Sequence, residues 1–550
     1  MNWIIVTLLL LVILYLWNRN TQIKKDKKQY SYFLNDWINN STVNNYELRK
    51  VKRYKKNYKT STSVYQKIGK QTNKDLDLDE VFKAIDFTTT PIGKQYLYYR
   101  LHNIEHPNLD DIHTRLEEAF TDDSNLRTKT LISLSSINHK DTYYFEQLFT
   151  NPSQEKRTFL TYAKIINIVT VVIFMTSLFY RPILLAIVPI LTINAVIHYK
   201  NKIKLFELQS AIKQFTKIYN CYFYLVSTLE LKKYSDFKDN IPELKRIKSI
   251  SSFLDSERKM DNEIATLIWL PIEWLKILFN VEYIVFHSLL KKLENHQKDL
   301  HELFIAIGKV DLALSLLKLK ALRQTSKPLF TTDKEIEVKE IYHPLIEKCI
   351  KNDLALVNNS LLLTGSNMSG KTTFIRTFVI NAILAQTLGF TFSKSYKAPF
   401  YKIHTSIKIS DDLSSKKSFY LQEVSIIKRF IEEVKSNEMN LIVLDEILKG
   451  TNTIERISAS AAILSYLNMD KDTVMVSTHD LELIDLLQHN KYTVAHFKEE
   501  IIKDKLSFDY TIKLGVSTTT NALKILEIHN YPKEITDKAN DIKKNVQLIS

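Results

Sequence analysis

The segment Thr364–Thr373, TGSNMSGKTT, limits the fold more than any other part of this 550-residue chain. It holds two of only eight glycines, Gly365 and Gly370, five residues apart. The apolar run Leu361–Leu363 feeds into it, and Phe374–Leu388 after it reads as a helix ended by Gly389. A strand, a G-x-x-x-x-G-K-T loop and a helix form the context that a phosphate-binding loop requires. Glycine lets backbone N–H groups turn toward phosphate oxygens, and the helix N-terminus adds positive potential. The candidate ATP-binding residues are therefore Gly365, Ser366, Asn367, Met368, Ser369, Gly370, Lys371, Thr372 and Thr373. Lys371 suits the outer phosphates and the Thr372 hydroxyl suits Mg²⁺, which makes ATP and Mg²⁺ the expected cofactors.

Downstream, Asn440–Leu448 reads NLIVLDEIL. Apolar residues ending in adjacent carboxylates predict a buried parallel strand with Asp445 and Glu446 at its C-terminal end. Asp445 is the candidate Mg²⁺ partner of Thr372, and Glu446 the candidate that polarises the attacking water. A further apolar run, Thr473–Ser477, presents His479 at another strand end. Alone, such a histidine is usually structural; beside the other two motifs it becomes a candidate catalytic, γ-phosphate-sensing residue.

Composition narrows the setting. With 45% hydrophobic and 25% charged residues the chain is a folded protein of several domains. Its two cysteines, Cys221 and Cys349, form no disulfide framework and match no zinc spacing. The formal net charge of +15 fits a polyanionic partner, either nucleic acid or anionic lipid.

Residues 1–18 carry an uncharged apolar run followed by Arg19, Lys24, Lys25, Lys27 and Lys28. Charge after the apolar stretch predicts an uncleaved anchor with its C-terminal side in the cytoplasm. A second apolar zone, Phe159 to His198, breaks at Tyr180-Arg-Pro182 and is flanked by Lys156, Arg157, Lys200, Lys202 and Lys204. It predicts a transmembrane hairpin, the alternative being a buried helical pair, since Lys164, Asn167 and Asn194 interrupt it. Ile264–Leu290 carries Glu273, Lys276, Glu282 and His287 and predicts an amphipathic core helix pair. The basic run Arg49–Lys56 reads as a solvated flank that can touch anionic headgroups, with DNA contact the weaker alternative.

The motifs together resemble the MutS family of mismatch-repair ATPases. The loop, including Asn367 and Met368, is similar to that family's T-G-x-N-M-x-G-K-[ST], and DEILKGTNT (Asp445–Thr453) to its D-E-[IL]-G-x-G-T-x-[ST]. Ser477-Thr-His479 resembles its [AS]-T-H strand end. Ser410-Asp-Asp-Leu413 with Ser418-Phe419 resembles the segment that completes the ATP site of the opposite subunit, which implies a trans-subunit contact by Ser418. The tail from Leu514 through Tyr531-Pro-Lys-Glu-Ile535 resembles the family's C-terminal run. Upstream, Ile85–Gly93 with Arg100-Leu101, Asp110–Arg115, Val310-Asp311 with Ser315-Leu316, and Tyr342-His-Pro344 resemble the helical core and the entry to the ATPase.

The departures are as informative. Before residue 75 stand only the apolar run and a basic linker, where mismatch-reading members carry a domain with an aromatic wedge in a Phe-x-Glu motif. The DNA clamp of the family would fall within residues 200–300, near the apolar hairpin. Leu448-Lys-Gly450 replaces the usual Gly-Arg-Gly and is expected to alter the switch loop.

The expected architecture is mixed: an α-helical MutS-like core and lever domain with transmembrane helices, plus an α/β P-loop ATPase domain of the ABC type. Its expected parts are an anchor (1–18), a basic linker (19–74), first core part (75–158), transmembrane hairpin (159–200), second core part (201–330) and ATPase with C-terminal dimerisation helices (331–550). The resemblance implies a homodimer that binds and hydrolyses ATP and binds DNA, and the apolar run with the basic residues after it implies a tether to the inner membrane with the ATPase in the cytoplasm. The alternative is a MutS-derived membrane ATPase acting on a protein partner without DNA. A transporter subunit is disfavoured, because no L-S-G-G-Q segment precedes Asp445.

Overall fold

The computed structural model describes residues 20–38, 47–58, 64–106, 112–150, 158–204, 206–234, 278–366, 369–408, 419–434, 438–468, 471–487, 489–502, 505–516, 522–529 and 531–547, with brief gaps at 22–23, 26 and 205 and a few further positions between 244 and 248. The chain divides into two compact units. The first comprises residues 1–61, 85–99 and 109–322; the second comprises 62–84, 100–108 and 323–550.

The first unit is helical. Its longest element, Gln297–Leu322, is 26 residues long and buries residues all around its circumference, from Leu300 to Leu319. Asp311 sits fully buried at its centre. The carboxylate accepts from Thr89 N at 2.8 Å, from Thr90 N at 2.8 Å and from Thr90 Oγ1 at 2.6 Å, capping the helix that begins at Pro91. Ser315 Oγ accepts from Phe87 N at 2.9 Å one turn further on. Two stretches flagged separately in the sequence, Thr90–Gly93 and Val310–Ser315, are thus one packed junction. Gly93 is required there, because a Cβ would lie 2.1 Å from Asp311 Oδ2. Burial raises the Asp311 pKa to about 6, although the hydrogen bonds pull it down.

The basic run Arg49–Lys56 is an integral helix, Leu48–Asn57, rather than a solvated flank. Val51 and Tyr54 are completely buried. Arg53 reaches Glu207 through both terminal nitrogens (2.9 and 2.8 Å) and Glu146 through Nε at 3.1 Å. Tyr54 hydroxyl pairs with His301 Nε2 at 2.8 Å.

The expectation of transmembrane helices is overturned. Among the described residues no helix is long and apolar enough to cross a membrane. The zone 159–200 does form two helices, Thr158–Ser177 and Ile187–Lys204, with a 3₁₀ turn at Arg181–Ala186. Their apolar stretches are cut by Lys164, Asn167, Thr170, Thr192 and Asn194, and the second helix ends in a Lys-rich turn. Inside the unit, the amides serve the protein's own backbone: Asn167 donates to Phe279 O, and Asn194 to Leu278 O at 2.6 Å. Outward, the pair presents Ile168, Val172, Phe174, Met175, Leu178 and Phe179, the last 94% exposed. The candidate anchor 1–18 lies outside the described residues, as does most of the predicted pair 264–290, of which the helix Val281–Glu294 is described.

The second unit is α/β and holds every described strand. In chain order these are β1 (Val64–Lys67), β2 (Asn103–Glu105), β3 (Pro328–Thr331), β4 (Glu335–Ile341), β5 (Asn352–Val357), β6 (Ser360–Thr364), β7 (Ser395–Pro399), β8 (Lys402–Ser406), β9 (Asn440–Asp445), β10 (Thr473–Ser477), β11 (Tyr492–Ile502) and β12 (Lys505–Leu514). The main sheet has order β12-β11-β6-β10-β9-β8 and is parallel except for β12. A second sheet has order β3-β7-β4-β5, and β1 pairs with β2 alone. β6 and β10 are buried along their whole length, and β9 up to its last residue. Burial on both faces explains why these strands read as unbroken apolar runs rather than as alternating ones.

Candidate nucleotide site

Register aims three strand ends at one edge of the sheet. Ser477 of β10 pairs with Leu363 of β6 on one side and with Asp445 of β9 on the other. In open parallel sheets, ligands bind outside such carboxyl ends. The loop leaving β6 returns as the helix Lys371–Leu388, which Gly389 ends in a left-handed conformation. Gly365 (φ 131°) and Gly370 (φ 109°) adopt backbone angles closed to other residues, and a Cβ on Gly365 would stand 2.9 Å from Phe497 O. The loop is braced by Ser369 Oγ, which donates to Ser366 O at 2.8 Å.

Lys371 is buried, and its Nζ donates to Gly365 O and Ser366 O at 2.7 Å each. Burial lowers its pKa to about 8, with Asp445 and Glu446 opposing that fall. Thr372 Oγ1 donates to Asp445 Oδ2 at 2.9 Å, and Ser477 Oγ donates to the other carboxylate oxygen. A hydroxyl and a carboxylate facing each other are hard oxygen donors that fit Mg²⁺. Among the described residues no group of three or more His, Cys, Asp or Glu could hold a metal unaided.

Glu446 takes a left-handed φ of 54° and donates its N–H to Ser477 O at 2.9 Å. Its Oε1 lies 2.9 Å from His479 Nε2, and its Oε2 lies 3.0 Å from Lys449 Nζ. His479 Nε2 also stands 3.3 Å from Lys371 Nζ. One N–H cannot donate to the carboxylate while the same nitrogen accepts from the ammonium; the shorter contact assigns the proton toward Glu446. Burial and the Lys371 charge lower the His479 pKa, outweighing the two carboxylates, so the neutral ring is favoured. Next to it, Arg456 holds Asp480 with two bonds of 3.0 and 2.6 Å, fixing the loop after β10.

A cavity of about 590 Å³ opens beside the loop. Gly370, Lys371, Thr372 and Thr373 form its polar end, and Ile346, Ile350, Phe374, Phe497 and Tyr510 give the rest an apolar character. This volume is in the range of small-molecule sites, which run from about 300 to 1,000 Å³.

Residues 361–547 match the family description MutS domain V. The chain is 28% identical over 274 residues to the DNA mismatch repair protein MutS of Acholeplasma laidlawii, covering 48% of this chain and 32% of that protein. The DNA mismatch repair protein MutS of Lactobacillus delbrueckii subsp. bulgaricus is 30% identical over 282 residues, 49% of this chain and 32% of that one. The MutS protein homolog 4 of Mus musculus is 28% identical over 319 residues, 54% of this chain and 32% of that one.

The chain belongs to the MutS family.

It spans about a third of the length of these curated relatives. Of the site residues read from the sequence, this MutS-family chain brings together Gly365, Ser366, Ser369, Gly370, Lys371, Thr372, Asp445, Glu446 and His479, with Thr373 on the cavity wall. Asn367, Met368 and Ser418 lie outside the described residues. Sequence reasoning missed the apolar wall, because Ile346, Ile350, Phe497 and Tyr510 come from distant segments with no shared pattern. It also missed Lys449 as a partner of Glu446. Tyr510 is held in place through Asn352, which donates to Tyr510 O at 3.0 Å and accepts from Ile512 N at 2.7 Å.

Proposed function

We propose that this MutS-family chain binds ATP with Mg²⁺ in the β6–β9–β10 site and hydrolyses it. The carrying observation is the convergence of Lys371, the Thr372–Asp445 pair and the Glu446–His479 pair beside a cavity of nucleotide size. Lys371 and the loop N–H groups would hold phosphate oxygens, with the base against the apolar wall. Thr372 and Asp445 would hold Mg²⁺, which when bound offsets phosphate charge. Glu446 would orient water and accept its proton, and neutral His479 would keep that carboxylate aimed. Phosphate release from ATP by the purified chain, dependent on Mg²⁺ and stopped by a chelator, is the expected result. Absence of release under all metal conditions would contradict the reading.

The relatives named as DNA mismatch repair proteins support a further proposal: two ATPase domains pair, with Ser418 reaching the partner's nucleotide, and the dimer binds DNA in an ATP-dependent manner. Direct phosphate contact predicts affinity falling steeply with log salt. One observation favours the alternative of a protein partner without DNA. Within the basic helix Leu48–Asn57, Arg53 is engaged by Glu146 and Glu207, and Lys50 by Glu47, rather than being free for phosphate. Binding absent even at low salt would select that alternative.

We also propose a location at the inner membrane face with the ATPase domain in the cytoplasm. It is supported by the lysines and arginine that follow residues 1–18 and by the apolar side chains exposed between Ile165 and Val196, which suit contact without crossing. Flotation of the chain with anionic vesicles tests it, and a chain that stays with the soluble fraction at low salt contradicts it.

A further inference from the structure

The loop after β9 carries a cation that neither phosphate binding nor metal binding explains. Ile447 and Leu448 are buried in the main core cluster of the second unit. Leu448 has a left-handed φ of 58°, and its N–H donates to the buried Glu423 carboxylate at 2.6 Å. Leu448 is therefore pinned both by its side chain and by its backbone. The next residue, Lys449, is in consequence presented at a fixed place, and its Nζ lies 3.0 Å from Glu446 Oε2. Glu446 is held from its other oxygen by His479 at 2.9 Å. Both oxygens of the carboxylate proposed to orient water are thus engaged, one of them by a full positive charge.

A carboxylate that already faces an ammonium polarises water less than a free one, and it must partly leave that partner to accept a proton. The pair is half-exposed, with side-chain exposures of 40% for Lys449 and 26% for Glu446, so it is openable rather than locked. We propose that Lys449 is a positioning residue that restrains Glu446 in a resting ion pair and so sets a low rate of ATP hydrolysis. This inference rests on the hydrolytic reading of the site and names the residue that governs its speed. The pinning of Leu448 gives the restraint its geometry: a small, unpinned residue there would leave the Lys449 backbone free to carry the ammonium away.

The test compares steady-state ATP hydrolysis by the full chain with K449M, K449R, E446Q and the K449M/E446Q double variant, together with ADP binding measured without turnover. The expected result for K449M is a kcat raised about two- to five-fold, the range set by losing one half-exposed ion pair. KM for ATP and ADP affinity stay within about two-fold, a factor small beside the tenfold that one charged contact can carry. K449R, which keeps the cation, restores the parent rate. The double variant is as inactive as E446Q. A damaged fold lowers kcat, so a gain in rate distinguishes a restraint from a merely structural role. A kcat for K449M equal to or below the parent's, a gain that survives in the E446Q background, or a loss of ADP binding overturns the proposal. The hydrolytic reading itself fails by a different result, parent-like turnover in E446Q alone.

Discussion

Replacing Lys371 by Met separates what the site costs the fold from what it does for a nucleotide. The ammonium is buried and its pKa lowered from 10.5 to about 8, chiefly by burial. A lysine so displaced carries a charging penalty of about 3 kcal/mol in the folded state at neutral pH. Methionine keeps most of the side-chain volume and removes that penalty. It also deprives the Gly365 and Ser366 carbonyls of a donor, a loss of about 1–2 kcal/mol, since both are partly open to solvent. The nucleotide-free K371M chain should therefore be more stable than the parent by about 1–2 kcal/mol at neutral pH. ATP affinity should fall at the same time by roughly 10- to 150-fold, the value of one charge-assisted hydrogen bond to phosphate. The pH dependence has a definite sign. Between about pH 8 and 10.5 the unfolded chain holds a proton that the folded chain lacks, so parent stability rises with pH across that window, and that of K371M does not. Thermal unfolding of both chains near pH 7 and near pH 9.5, with and without ATP, reads all three effects. A K371M chain that is less stable without nucleotide, yet keeps the ATP-induced rise in Tm, would refute the reasoning.

The Asp311 junction predicts a second pH effect. Its folded pKa of about 6 exceeds the ordinary 3.8, so the folded chain holds the proton more tightly and stability falls as pH rises from about 4 to about 6, by roughly 1–3 kcal/mol; in denaturation series over that range, D311N should lack the slope. Gly93→Ala should destabilise the first unit by about 1–3 kcal/mol, since its Cβ would lie 2.1 Å from Asp311 Oδ2, and a melting temperature within a degree of the parent's would count against the packing described. Thr372→Val removes the hydroxyl facing Asp445 and should raise the Mg²⁺ concentration needed for half-maximal hydrolysis several-fold, with ATP binding in chelator little changed.

How much of this was legible in the sequence depends on what each residue's signal encodes. The strands β6, β9 and β10 were readable because burial on both faces leaves apolar side chains throughout their middles, between polar ends, and Gly365 and Gly370 because only glycine tolerates their backbone angles. The left-handed Glu446 and Leu448 were not readable, since neither is a residue type that advertises such a conformation. Leu448-Lys-Gly450 stood out in the sequence as a change in the switch loop, but nothing in it showed that the pinned Leu448 places Lys449 on Glu446. The helical pair and its break at Tyr180–Pro182 were visible, but the spanning expectation failed. Hydropathy counts apolar residues and does not report that Asn167 and Asn194 turn inward to bond backbone carbonyls. The basic run Arg49–Lys56 misled for a related reason: charge density does not reveal that Glu146 and Glu207 lie opposite Arg53.

The central claim is that this MutS-family chain hydrolyses ATP with Glu446 orienting the water. Steady-state phosphate release by E446Q, measured beside its ATP binding, tests it most directly. The account predicts that ATP is retained with affinity near the parent's while turnover nearly vanishes, and turnover equal to the parent's would contradict it.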